Sequence, residues 1–531
     1  MTDAAIRTGP PPAPAGTLSQ GDFIKLLLGF GGMVIGQFMA ILDIQIVAAS
    51  LPQIQAGIGA STDEMAWVQT SYILAEVVIM PLTAYMCRLW STQKTYMVCC
   101  LLFIITSVIT GFSTSIEMMI VTRSLQGLAA GAMIPAVFAT AFTAFPPERR
   151  VTASVVIGLI VTLAPTIGPT LGGHLTETMG WRWLFFINVP PGLLALFLVG
   201  RFGNFDKGDP SLAKGVDWLG LALMTVGLVA IQYVLEEGAE NSWLADDLIL
   251  WLSVIGLVTF SGFIWRQLAY RQPLINLRPF SDRNFSLGAF MVAVSGVSLI
   301  GGTYIMPLFL GQIRGYSAAQ VGTTMLVSGI AMFITGPIAG RVVRLFDPRI
   351  SVFLGFSIAA YGLYLGHGVT AEWGFWEFAA LQALRGVGIM LGMIAAQVLT
   401  VATIPTALMK DASAIINLLR NVGGAVGIAG LSTILSVQTR AHLVDLSSRV
   451  DQGRLQAQAM LEGMTGLYTR QGLADPEGAA TKVLSMVLNR NAAVLAFGDA
   501  FFWLAVSVAA AAALALIAKP APSPAPMQGS H

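Results

Sequence analysis

Residues 158 to 173 read Gly158-Leu-Ile-Val-Thr-Leu-Ala-Pro165-Thr-Ile-Gly168-Pro169-Thr-Leu-Gly172-Gly173. Two prolines set among glycines inside a long apolar run would break a helix in water, each interior proline costing about 3 kcal/mol. A bilayer changes that reading. Neighbouring helices re-satisfy the freed backbone groups there, and small residues let two helix backbones approach closely. The stretch predicts a kinked, tightly packed transmembrane helix of the kind placed where two moving parts of a membrane protein meet.

Working outward, the rest of the chain has the composition of a lipid-embedded protein. Hydrophobic residues make up 55% of the 531 and charged residues 11%, with mean hydropathy +0.74, whereas a soluble domain carries roughly 25% charge. The net charge of +1 points to no nucleic-acid partner. Cys87, Cys99 and Cys100 have no metal-ligand spacing and read as packing residues. No phosphate-loop signature occurs, so neither an ATPase nor a covalent enzyme is indicated, and the glycine-rich runs lie within apolar segments.

About fourteen segments reach spanning length: 24–50, 66–88, 94–113, 117–142, 151–175, 184–202, 217–236, 247–267, 284–312, 317–345, 350–369, 374–402, 411–438 and 492–518. An even count places both termini on one side. Arg88, Lys94, Arg149, Arg150, Arg201, Lys207, Lys214, Arg266, Arg271, Arg278, Arg283, Arg341, Arg344, Arg349 and Lys410 fall on that side, against chiefly Arg182 and Arg314 on the other. The positive-inside rule makes the basic side cytoplasmic. Met1 to Gln20, rich in Pro, Ala and Thr, reads as a cytoplasmic tail rather than a signal peptide.

Internal repetition organises the segments. Arg123-Ser-Leu-Gln126-Gly127 in the fourth segment echoes Gln382-Ala-Leu-Arg385-Gly386 in the twelfth, with Arg and Gln exchanged. A weaker echo links the loop around Arg88 with that around Arg344. The expected organisation is a tail (1–23), a six-helix bundle (24–203), a linker with two inserted helices (204–283), a second six-helix bundle (284–518) and a tail (519–531). Within the second bundle, 440–490 is expected to form an outer lobe of short amphipathic helices.

These motifs, with Leu42-Asp43 to Leu51-Pro52 and Trp181-Arg182-Trp183 to Asn188-Val-Pro190-Pro-Gly192, resemble the major facilitator superfamily, and within it the fourteen-span drug:proton antiporters of the EmrB/QacA type. The resemblance covers nearly the whole chain. It implies an all-α fold of two six-helix bundles plus two inserted helices, alternating access around a central cavity, a proton gradient as energy source and no cofactor or metal. It also implies the bacterial cytoplasmic membrane as location, and a periplasmic adaptor with an outer-membrane channel as partners. The family's loop motif after the second span is degraded here, with Ala84 in place of its usual Gly and no Asp following, which argues against a loop latch of the usual kind.

Ionisable groups inside a bilayer are expensive and point to function. Asp43 and Arg123 fall at similar depth, and Glu76 lies near the middle of the second segment. These three are the proton-coupling candidates, because burial favours a neutral carboxyl while a nearby guanidinium favours a charged one. Arg385, Arg420 and Asp499 are expected as gate or packing residues, and His174 as a solvated helix-end group. Gln45, Gln69, Tyr72, Tyr304, Gln312, Gln397 and Asn417, with Met133, Phe142, Met390 and Met393, are candidates to face a substrate cavity. Gly158, Pro165, Gly168, Pro169, Gly172 and Gly173 form the antiporter motif, whose helix is expected to pack on a small-residue helix of the other bundle, Gly336-Pro337 to Gly340. The expected activity is proton-coupled efflux of hydrophobic or amphiphilic compounds. The alternatives are a siderophore exporter or solute importer of the same fold, or a non-transporting membrane assembly or sensor protein.

Overall fold

A computed structural model describes residues 19–48, 50–451, 455–471 and 474–520. Most of the two expected tails, and Ala49 of the first motif, lie outside the described residues.

Among the described residues fourteen helices are long and apolar enough to cross a membrane: Gln20–Ala48, Trp67–Trp90, Thr92–Gly111, Ile116–Thr143, Arg149–Met179, Trp183–Phe202, Trp218–Glu237, Asp247–Ala269, Arg283–Gln312, Gln320–Leu345, Pro348–Gly368, Phe375–Val401, Thr406–Ser448 and Pro476–Ala515, hereafter spans 1 to 14. Side-chain caps satisfy the amides that helix ends leave free. Ser61 and Glu64 form a capping box where the helix of span 2 begins, and Ser317 and Gln320 form the matching box at span 10. Asp217 and Asp246 cap spans 7 and 8.

Spans 1–6 and 9–14 build two bundles, and spans 7 and 8 are the inserted pair. The repeat anticipated around Gly127 and Gly386 has a physical basis. Gly127 lies against the Tyr72 carbonyl of span 2, and Gly386 lies against the Ser328 carbonyl of span 10, so a Cβ at either position would overlap backbone. In the most apolar 18 residues of span 4, 89% are buried, against 17% in span 8; the first is the core of its bundle and the second lies at the lipid periphery. Asn284 at the start of span 9 exchanges hydrogen bonds with Lys519 beyond span 14, 3.1 and 2.8 Å. Phe23 of span 1 lies under Arg149 of span 5. This side is called the terminal face, and the opposite one the lobe face.

The lobe differs from expectation. Span 13 belongs to one 43-residue helix, Met409–Asp451, and span 14 to one of 40, Pro476–Ala515, with a separate helix Leu455–Arg470 between them. Residues 476 to 490 of the expected lobe therefore belong to the helix of span 14, not to a short helix of their own. After Pro476 no proline interrupts that helix, and nothing in its sequence forces a stop.

The antiporter-motif helix packs on span 10 as expected, but not through its own glycines. It runs from Pro147 to Met179 through both internal prolines. Gly168 and Gly172 face Gln45 and Ile46 of span 1, inside the same bundle, and Gly173 has open space beside it. The small residues of the bundle–bundle seam come instead from span 10: Gly340 meets Val155, Gly336 meets Leu159, Gly329 meets Thr166 and Gly322 meets Thr170. These pairs descend one chain as they ascend the other, so spans 5 and 10 are antiparallel. The position expected to contact Gly336 thus does so through Leu159. Gly158 meets Met390, Met393 and Ile394 of span 12.

Candidate functional site

Span 4 carries Arg123 and Gln126 one turn apart, and span 1 brings Asp43 to them. The Arg123 Nη1 ion-pairs with Asp43 Oδ2 and donates to Gln126 Oε1 at 2.9 Å. Asp43 Oδ1 accepts from Asn188 Nδ2 at 2.6 Å and from Gln126 Nε2 at 3.2 Å. Asn188 stands at the break between helices Trp183–Phe186 and Val189–Phe202, ahead of Pro190 and Pro191. That break turns its side chain into the bundle. Ser107 completes the cluster, accepting from Asn188 at 3.0 Å and Gln126 at 3.2 Å while donating to the Phe185 carbonyl at 2.8 Å.

Asp43, Arg123 and Gln126 are fully buried. The Arg123 guanidinium lies 4.2 Å over the Tyr72 ring, its Nε donates to the Val68 carbonyl at 3.2 Å, and its Nη2 is left without a partner. The cluster is one charge pair held by neutral dipoles, so a proton added to Asp43 would leave an uncompensated cation in the bundle. Tyr72, expected to line a cavity, is instead buried in this cluster with its hydroxyl donating to the Ala40 carbonyl at 3.2 Å.

Glu76 is not part of the pair. It is 3% exposed at the seam between bundles, where Asn421 of span 13 donates to it at 3.2 Å. Beside Asn421, the Arg420 guanidinium sits 4.8 Å over Phe138 of span 4, and its Nε and Nη2 have no partner. Arg385 is held by Gln382 at 3.0 Å, Ser328 at 3.2 Å and the Ser298 carbonyl at 3.5 Å. Among the described residues no carboxylate pairs with Arg385 or Arg420.

The expected cavity residues do not form one set. Gln397 and Asn417 are buried; both amide atoms of Gln397 lack partners, while Asn417 donates to the Ser413 carbonyl of its own helix. Gln37 of span 1, absent from the sequence candidates, also has both amide atoms buried and unpartnered. Gln45 packs on Gly168, and Gln69 keeps a buried, unpartnered Oε1. Tyr304 hydrogen-bonds Ser432 at 2.9 Å. Gln312 is exposed at the end of its helix, away from any midplane site. Met133 and Phe142 are buried within the first bundle. His174 is exposed, and Asp499 pairs with His442 at 2.7 Å near the lobe face.

At the terminal face the bundles are latched, despite the degraded loop motif. Arg88 forks onto Asp411 of span 13 at 2.7 and 2.9 Å, and the Asn276 amide donates to the same carboxylate at 2.9 Å. Lys410 ion-pairs with Asp206, which also accepts two hydrogen bonds from Thr92 at 2.8 Å. Sequence reasoning noted Arg88 and Lys410 only as topogenic charges; their acidic partners lie far away in the chain and gave no local signal. At the lobe face the inserted span 7 spans the seam: Thr70 of span 2 donates to Glu236 at 3.1 Å, and Trp243 just beyond span 7 donates to Thr433 of span 13 at 2.9 Å.

Comparison with known proteins places this arrangement among transporters. The profile of the Major Facilitator Superfamily matches residues 33–428. The colistin resistance protein EmrB of Acinetobacter baumannii is 35% identical over 481 residues, covering 90% of this chain and 93% of its own. The multidrug export protein EmrB of Escherichia coli is 27% identical over 478 residues, 89% of this chain and 91% of its own. The crystal structure of the human organic anion transporter MFSD10 aligns with a TM-score of 0.57 at 12% identity, over 91% of this chain and 99% of that one. That last likeness is one of fold.

Proposed function

The chain belongs to the major facilitator superfamily, and from that membership we propose that it exports hydrophobic or amphiphilic drugs across the bacterial cytoplasmic membrane in exchange for protons. Relatives named for multidrug export and colistin resistance support drug efflux. The observation that carries the coupling is the buried Asp43–Arg123 pair with its Gln126 and Asn188 donors.

Alternating access needs a group whose protonation favours one arrangement of the bundles over the other. Protonated, Asp43 loses its charge and its claim on Arg123, and spans 1 and 4 are released from each other. Deprotonated, it binds Arg123, Gln126 and Asn188 together again. Glu76, bonded across the seam to Asn421, reports the same event to the second bundle, and the unpartnered amides of Gln37 and Gln397 with Arg420 supply polar contacts for a bound drug. No cofactor is needed, since the proton gradient drives the cycle. Both termini are cytoplasmic, which puts the Arg88–Asp411 and Lys410–Asp206 latches at the inner mouth; they must part for drug to enter from the cytoplasm.

The test is proton flux driven by lipophilic dyes in proteoliposomes, with Asp43→Asn and Glu76→Gln beside the unaltered protein. Loss of flux in Asp43→Asn is expected; flux retained in both variants would remove these carboxyls as carriers.

The lobe-face ends of the long helices that carry spans 13 and 14 expose Val437, Val444 and Met486, and the helix between them exposes Leu467. This lobe is the proposed contact for a periplasmic adaptor that leads to an outer-membrane channel. An adaptor co-purifying equally well with a chain lacking the helix Leu455–Arg470 would exclude that part of the contact.

A further inference from the structure

A groove of about 490 Å³ opens at the terminal face between the start of span 1 and the start of span 5. Its walls are apolar, chiefly Phe23, Leu27, Phe30, Phe145 and Val156, and two arginines stand on its lining, Arg149 and Arg344. Arg149 belongs to the first bundle and Arg344 to span 10 of the second. They share one groove because spans 5 and 10 are packed together along the glycine seam. The Arg149 guanidinium carbon lies over the Phe23 ring, 4.0 Å from its centroid. The Arg344 Nε donates to the Gly340 carbonyl of its own helix at 3.0 Å, leaving both terminal nitrogens available. Among the described residues neither arginine has a carboxylate partner, and Asp22 beside Phe23 is taken by Lys25 at 3.1 Å.

Two like charges brought to one place without a counter-ion repel, unless an anion joins them. Arg149 lies in the first turns of span 5 and Arg344 in the last turn of span 10, at the depth where lipid headgroups meet acyl chains. We propose that this groove binds an anionic phospholipid of the adjoining leaflet, its phosphodiester held between Arg149 and Arg344 and an acyl chain lying along Leu27, Phe30 and Val156. A guanidinium matches phosphate oxygens by its planar fork of donors. Among the described residues no acidic side chain lines the groove to receive the ammonium of a zwitterionic headgroup, so net-negative lipids are preferred. Because one arginine comes from each bundle, the bound headgroup ties the bundles together at this face and favours its closed arrangement.

The inference concerns binding and stands apart from the transport reading. It is tested with the full chain in detergent, by native mass spectrometry against phosphatidylglycerol and phosphatidylcholine of identical acyl chains. Phosphatidylglycerol is expected to bind about tenfold more tightly, as one unit of favourable headgroup charge between two arginines implies. The double variant Arg149→Gln, Arg344→Gln should abolish the preference without loss of folding, since both side chains are exposed. Val156→Trp, which fills the groove and keeps both charges, should also weaken phosphatidylglycerol binding. Glycerol phosphate should fail to compete, which separates a lipid site from a free phosphate site. Equal affinity for the two lipids, a preference that survives in the double variant, full binding in Val156→Trp, or effective competition by glycerol phosphate would each overturn the proposal.

Discussion

Arg123 and Arg385 belong to matching motifs in the two bundles with Arg and Gln exchanged, each no more than about a turn from a glycine pressed on its neighbour's backbone and each bonded to a glutamine one turn away on its own helix. Their surroundings differ in one chemical respect. Arg123 has a carboxylate, Asp43, with Asn188 and Ser107 arranged behind it. Arg385 has Gln382, Ser328 and a carbonyl. Removing charge from water inside a bilayer is costly unless it is paired, so the first bundle holds a neutral pair that a proton can unbalance. The second bundle holds a cation solvated by dipoles, with no carboxylate paired to it among the described residues. The repeat was duplicated in packing and not in chemistry, so the coupling proposed above rests on one half.

The largest expected effect follows from removing the one asymmetric group. Asp43→Asn keeps the side-chain shape and one acceptor oxygen, for either Arg123 or Asn188, but cannot exchange a proton, and dye-driven proton flux should fall to the level of protein-free liposomes. Glu76→Gln, at the seam and outside the charge pair, should reduce flux by less. If the two variants ranked the other way, the seam and not the Arg123 cluster would hold the carrier.

Stability should separate the two arginines by sign. Arg123→Gln strands a buried carboxylate and should cost about 3–5 kcal/mol, whereas Arg385→Gln removes an uncompensated buried cation and should be neutral or stabilising. Thermal unfolding in detergent measures both. Equal destabilisation by the two substitutions would mean that Arg385 is held by something the comparison has missed.

The fold was legible because lipid leaves so few options: apolar segments of spanning length, their even count, the glycine–proline helix and the Arg–Gln echo suffice for two bundles and an insertion. The Asp43–Arg123 meeting was legible too, since two charges at one depth in one bundle have few other places to go. What stayed hidden depended on helix rotation. Gly168 and Gly172 turn to span 1 while Val155, Leu159 and Thr166 turn to span 10, and a uniformly apolar helix carries no polar stripe from which to read that angle. For the same reason Tyr72 was assigned to a cavity when it lies inside the bundle. The latch was hidden differently: Arg88 and Asp411 are 323 residues apart, and only the folded chain joins them.

That latch supplies the smallest expected effect. The Arg88 side chain is 26% exposed while that of Asp411 is fully buried, so water weakens the pair from one side, in contrast to the dry pair at Asp43. Arg88→Gln leaves Asp411 with the Asn276 amide and biases the bundles toward an open terminal face. Loss of one partly exposed pair is worth about 1 kcal/mol, a roughly fivefold shift in a two-state population. Spin labels at the exposed Lys207 and Ala402, one on each half at this face, should then show a larger long-distance population in the variant. Added salt should move the unaltered protein toward the same distribution, because a half-solvated pair is screened. An unchanged distance distribution would mean that Lys410–Asp206 and the glycine seam close this face without help from Arg88, and that the charge pair whose breaking matters is the buried one alone.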